Sequence, residues 1–138
     1  MRRLLTAVTG AVPYVLVCLV SFSNTSLLAA GGNEAIDSMA KILLNFTHVP
    51  SVSQKETLQG ILDDTATTVA ERVVAEALMN VEHIVSLDDR PKLETLIRDE
   101  SAPATVKTLA TILNHLIHTP TEVDKEKLRQ LLRQICGR

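Results

Sequence analysis

ILNHLIHTPTEVDKEKLRQLL, residues 112–132, is the stretch that decides the fold. An apolar helical run leads into a His-Thr-Pro-Thr turn, and a charged amphipathic run follows it. The same plan stands 70 residues earlier in ILLNFTHVPSVSQKETLQGIL, residues 42–62, and midway in ALMNVEHIVSLDDRPKLETLI, residues 77–97. Three copies at a constant step of 35 residues point to tandem units built alike.

Read at a 3.6-residue period, the first half of each copy gives one apolar face. Its columns are Met39/Val74/Leu109, Ala40/Ala75/Ala110, Leu43/Leu78/Leu113 and Phe46/Val81/Leu116. The alanine column predicts a close approach by a neighbouring helix. The helix is expected to run to His48, His83 or His118, with Pro50 and Pro120 just beyond, where proline is common past a helix end. A hydroxyl follows in every copy (Ser51, Ser86, Thr121), and three residues later Gln54, Asp89 or Asp124 completes a pattern resembling a capping box. Pro91 disturbs the middle copy, so Asp88 or Asp89 is expected to take over as cap there. The second helix carries Leu58/Leu93/Leu128, Ile61/Leu96/Leu131 and Leu62/Ile97/Leu132 inward, with Lys55/Arg90/Lys125 outward. Ser101-Ala102-Pro103 separates the second copy from the third. No such breaker follows the first copy, so helices running together through residues 65–68 are expected.

The fold expected is therefore all-α: three tandem helical hairpins of about 35 residues, six helices in all, forming a small α-solenoid or a compact bundle. One hairpin buries too little surface to stand alone, and three stacked hairpins are about the minimum for an array. The unit resembles tetratricopeptide and related helix-hairpin repeats in length. Their aromatic, Gly and Ala signature is absent, so no named family is assigned.

Arg2 and Arg3, the apolar run 12–22 and the small, mostly polar run 23–30 fit a secretory signal peptide over residues 1–30. The alternative is an uncleaved anchor, since residues 4–30 carry no charge and are long enough to span a bilayer. Residues 31–138 then form one helical-repeat domain with units 31–65, 66–100 and 101–135. Export to a bacterial periplasm or out of the cell is the expected location, free of the membrane once the signal is removed.

Loss of Arg2 and Arg3 leaves 12 basic against 16 acidic residues. That balance, with no basic patch, excludes nucleic acid as partner. Phe46 is the one aromatic beyond residue 30 apart from histidines, so stacking platforms for bases or sugars cannot be assembled. No Gly-rich phosphate loop, G-x-S-x-G or H-E-x-x-H is present, and no enzyme is expected.

The histidine column His48/His83/His118 reads first as structural, a set of side chains ending helices beside the negative end of the dipole. Stacked hairpins would hold equivalent helices ~8–10 Å apart, too far for all three imidazoles to share one ion. His115 and His118 differ: at i and i+3 they would share a helix face and form a candidate Zn²⁺ or Cu²⁺ pair. Cys136, the lone cysteine of residues 31–138, invites an intermolecular disulfide and hence a homodimer. The function expected is a non-enzymatic exported module that binds or scaffolds a protein partner and needs no cofactor. The alternative is a periplasmic metal-binding protein using His115 and His118.

Overall fold

Helical periodicity in the chain resolves into six α-helices in the computed structural model, which describes residues 28–137. They are α1 (Leu28–Leu44), α2 (Val52–Asp63), α3 (Val69–Met79), α4 (Arg90–Arg98), α5 (Ala104–Asn114) and α6 (Glu122–Cys136). Residues 1–27, nearly all of the expected signal segment, lie outside the described part. Among the described residues there is no strand, and no helix is long and apolar enough to cross a membrane.

The odd-numbered helices form the centre. α1, α3 and α5 pack on one another, and the columns read from sequence are their shared core. Ala40, Ala75 and Ala110 are wholly buried, as are Leu43, Leu78 and Leu113. Each even helix buries one narrow stripe, Leu58 and Ile61 on α2, Leu93 and Leu96 on α4, Leu128 and Leu131 on α6. Polar and charged residues cover most of the rest, which is the pattern of an outer helix with one apolar face.

Pairing differs from the hairpins expected. The most extensive packing joins α2 to α3, α4 to α5 and α6 to α1, not the two helices flanking each histidine turn. Each outer helix therefore lies on the inner helix of the next 35-residue stretch, and the last lies on the first. That final contact rules out an open solenoid, in which each unit touches only its sequence neighbours. The array closes into a compact body.

Local chemistry explains the helix boundaries. α2 and α3 do not run together: Thr68 caps α3, accepting from the Glu71 N–H, while the Glu71 carboxylate accepts from the Thr68 N–H at 2.8 Å. The Arg72 guanidinium then reaches back to the carbonyls of Leu62 and Asp64. One step of 35 on, Lys107 Nζ donates to the Asp99 carbonyl at 3.1 Å. In both joins a cation sits against the C-terminal carbonyls of the preceding helix, where the dipole favours it. Ser51 caps α2 with a full capping box to Gln54, and Thr121 caps α6, accepting from the Asp124 N–H.

With Ala110 fully enclosed between α5 and its neighbours, Ala110→Leu should lower stability by ~1–3 kcal/mol through overpacking. A thermal melt unchanged from the parent chain would show that the alanine column is not a close contact.

Candidate metal centre

Each odd helix stops four residues before its histidine, at Leu44, Met79 or Asn114. Beyond the stop, the first and third turns run buried, three exposed, buried: Phe46 and Pro50 enclose Thr47-His48-Val49, and Leu116 and Pro120 enclose Ile117-His118-Thr119. The middle turn matches, with Val81 and Val85 as its anchors. Two buried anchors force the intervening residues to arch outward, and the histidine is the tip of the arch.

At that tip all three histidines take the left-handed backbone conformation, with φ of 65°, 70° and 62° at His48, His83 and His118. No other non-glycine residue among those described does so. Val49 donates to the Thr47 carbonyl, and Thr119 to that of Ile117, both at 2.7 Å. These i→i+2 bonds are γ-turns of the strained, positive-φ kind. They occupy the flanking residues and leave each histidine's own N–H and C=O facing outward. Those groups meet in a closed triangle. His48 N–H donates to the His118 carbonyl at 3.0 Å, His83 N–H to that of His48 at 2.8 Å, and His118 N–H to that of His83 at 2.7 Å.

Above the triangle stand the imidazoles. Ring centroids lie 5.2–5.4 Å apart, and one nitrogen from each ring lies within 4.8 Å of the other two. Nδ1 of His118 is 3.2 Å from Nδ1 of His83. Two nitrogens bound to one tetrahedral Zn²⁺ at ~2.0–2.1 Å stand ~3.3–3.4 Å apart. That pair is already at chelating separation. His48 is exposed, and a three-nitrogen face would need its ring nitrogen, within 4.8 Å of the other two, to move closer to them.

The structure thus alters the sequence reading of these residues. The helix-end role expected for His48, His83 and His118 does not apply, because the helices end earlier so that Phe46, Val81 and Leu116 can turn into the core. The objection that adjacent helices hold the three too far apart also falls. Helix axes are separated by a helix diameter, but the arches that join them converge. The expected pairing of His115 with His118 loses its premise, since α5 ends at Asn114 and the two no longer share a helix face. His115 occupies the cap position of Asn45 and Asn80, with Nδ1 3.0 Å from the Thr111 carbonyl. Cys136 is an exposed free thiol at the end of α6, ~20 Å of helix away from the histidine turns.

One signal in the sequence marks the site. Across the three copies, four columns are occupied by the same residue throughout: Ala40/75/110, Leu43/78/113, Leu58/93/128 and His48/83/118. Three of the four are completely buried, and packing accounts for them. The histidines are exposed, and packing does not.

The middle turn has an additional brace. Asp89, almost fully buried, stands at the N-cap position of α4 as expected, but its side chain does not cap that helix. Its carboxylate accepts from Ser86 Oγ at 2.8 Å, Asn80 Nδ2 at 3.1 Å and Lys92 Nζ at 2.9 Å. Ser86 Oγ in turn accepts from the Asp89 N–H at 3.1 Å, the same bond that Ser51 and Thr121 make to Gln54 and Asp124. Burial works to raise the Asp89 pKa, and the hydrogen bonds from Lys92, Asn80 and Ser86 outweigh it, leaving the group below the usual carboxylate range.

The chain has no match among known protein families, curated proteins or solved structures.

Two outcomes follow from this geometry. A left-handed conformation costs an L-residue ~1–2 kcal/mol and costs glycine almost nothing, so His118→Gly should leave the denaturation midpoint unchanged or raised. A loss above ~2 kcal/mol would show that the ring itself holds the turn. Asp89→Asn should lower stability near pH 7 by ~1–3 kcal/mol. Because the folded pKa lies below the unfolded value near ~3.9, that advantage of the parent is complete above the unfolded pKa. It disappears as the pH falls through the folded one. Denaturant titrations at pH 7 and pH 3 should therefore show a gap at the first and a narrowed gap at the second.

Proposed function

We propose that this protein binds a divalent transition-metal ion through His48, His83 and His118, one ligand from each of three tandem 35-residue units closed into a ring. The observation that carries the reading is the convergence of three exposed imidazoles on arches whose backbone conformation is unfavourable for histidine. Strained conformations persist where surrounding structure over-determines them, and they cluster at functional positions. Imidazole donors suit Zn²⁺ and Cu²⁺. The fit is to a three-ligand site, the donor number typical of zinc sites that retain an exchangeable position, and not to a four-ligand structural site. Because imidazole must be neutral to ligate, binding weakens as the pH is lowered.

A second reading keeps the protein as a binding or scaffolding module for a protein partner. It is favoured by the exposed large apolar residues, since Val49, Val52, Ile84, Leu87, Ile117 and Val123 all lie in or beside the histidine turns. In both readings the chain is a non-enzymatic protein exported to the periplasm by residues 1–30. A dimer through Cys136 would place its two histidine ends apart from one another, leaving each accessible.

Competition titration of purified protein with Zn²⁺ and a chromophoric chelator tests the metal reading. His83→Ala should weaken binding by about two orders of magnitude or more, while His115→Ala should leave it intact. Binding that survives His83→Ala and fails in His115→Ala would return the site to the His115/His118 pair. No saturable binding in the parent chain would leave the scaffold reading.

A further inference from the structure

The two ends of the molecule differ in what they expose. Of the seven large aliphatic residues exposed among the described residues, six belong to the histidine turns or to the helix starts that follow them. They are Val49 and Val52, Ile84 and Leu87, and Ile117 and Val123, two from each unit; only Val69, at the start of α3, lies at the other end. Helix geometry aims part of this set. A Cα–Cβ bond tilts toward the N-terminus of its helix, and α2 and α6 both begin at the histidine end, so Val52 and Val123 lean that way. Ile84 and Ile117 pair across adjacent turns, directly beside His83 and His118.

Three exposed imidazoles flanked by exposed aliphatic side chains make a face that is unfinished in two respects. No other histidine, cysteine or carboxylate among the described residues joins the cluster, so an ion held there keeps open coordination positions. The apolar residues stay in water unless something covers them. Together the six expose on the order of 400 Å², the size of a functional patch on a monomer. With the histidines and polar turn residues between them, the face approaches the ~600–800 Å² per partner of a small specific interface.

Charge narrows what can cover it. Residues 45–57, 80–92 and 115–127, one window taken at a step of 35, hold five basic and seven acidic side chains. That slight acidity repels nucleic acid and anionic lipid, yet it is small enough for two such faces to meet, with a dication between them offsetting part of it. A symmetric dimer needs a self-complementary patch. The surface already seen to carry imidazoles in the required array is that of the chain itself.

We propose that a second copy of this chain docks on the histidine end, so that one metal ion is shared by the histidines of two copies and the apolar residues around them are buried against each other. Each copy contributes equally, and the joined aliphatic side chains exclude water from the ion, as a hydrophobic shell does around a metal site. This rests on the metal reading above.

The test uses the purified chain, with a non-thiol reductant holding Cys136 as the thiol and zinc alone as the probe. Sedimentation velocity beside isothermal titration should show monomer converting to dimer as zinc is added, saturating at one ion for two chains and reverting when a chelator removes it. His83→Ala should abolish both effects. Val52→Glu with Leu87→Glu gives two units the residue that the third already carries as Glu122, so the fold is kept, while the zinc-loaded dimer should weaken about a hundredfold or more. Zinc saturating at one ion per chain on a monomer overturns this inference and leaves the metal site standing. A dimer that forms equally well without zinc, or that the paired glutamates leave unchanged, overturns it too. Failure to bind zinc at all overturns the metal reading and this one together.

Discussion

Three backbone hydrogen bonds closing a triangle among His48, His83 and His118 are the constraint on which the histidine end of this protein depends. Each joins residues 35 or 70 positions apart, so none forms until distant parts of the chain have met. Magnitudes indicate what the triangle does. A hydrogen bond contributes ~1 kcal/mol net, and a left-handed histidine costs ~1–2 kcal/mol. The two nearly cancel, so the triangle locates the turns without being what stabilises the fold. The stabilisation comes from beneath, where Phe46, Val81, Val85 and Leu116 bury their side chains in the core and hold each arch at both feet.

Burial was legible from sequence because it depends on period. The columns through Ala40, Leu43 and Leu58 recur at 35 residues and occupy equivalent buried places. Helix ends were less legible, for a physical reason. Phe46 follows Leu43 at a helical step and is as buried as a helical residue would be, so apolar periodicity cannot report that the chain has left the helix at Leu44. The error then propagated: a helix continued to His118 makes a pair with His115 and separates His118 from His48 and His83.

Closure was illegible for a different reason. A linear succession of like units is compatible with an open stack or with a ring, and the two differ in whether α6 finds α1. That contact joins opposite ends of the described chain and has no local signature. Once the ring closes, residues occupying the same place in each unit are brought to a common centre at the turns, although their helices remain a helix diameter apart. The identical, exposed histidine column is what such a centre requires of a sequence. A single imidazole among unlike residues would stand alone, whereas three alike bring one ring nitrogen each within 4.8 Å of the others.

Sameness and difference therefore carry separate tasks in this chain. A site at the meeting point of three turns needs the same residue from each, and histidine is there three times. Selectivity for what approaches that site cannot come from residues that are all alike, because they present the same face in three directions. It has to come from positions where the units diverge. Met79, Ile84 and Leu87 match the apolar Leu44, Val49 and Val52 of the first unit and diverge from Asn114, Thr119 and Glu122 of the third, so the units differ beside the histidines while the buried columns stay alike.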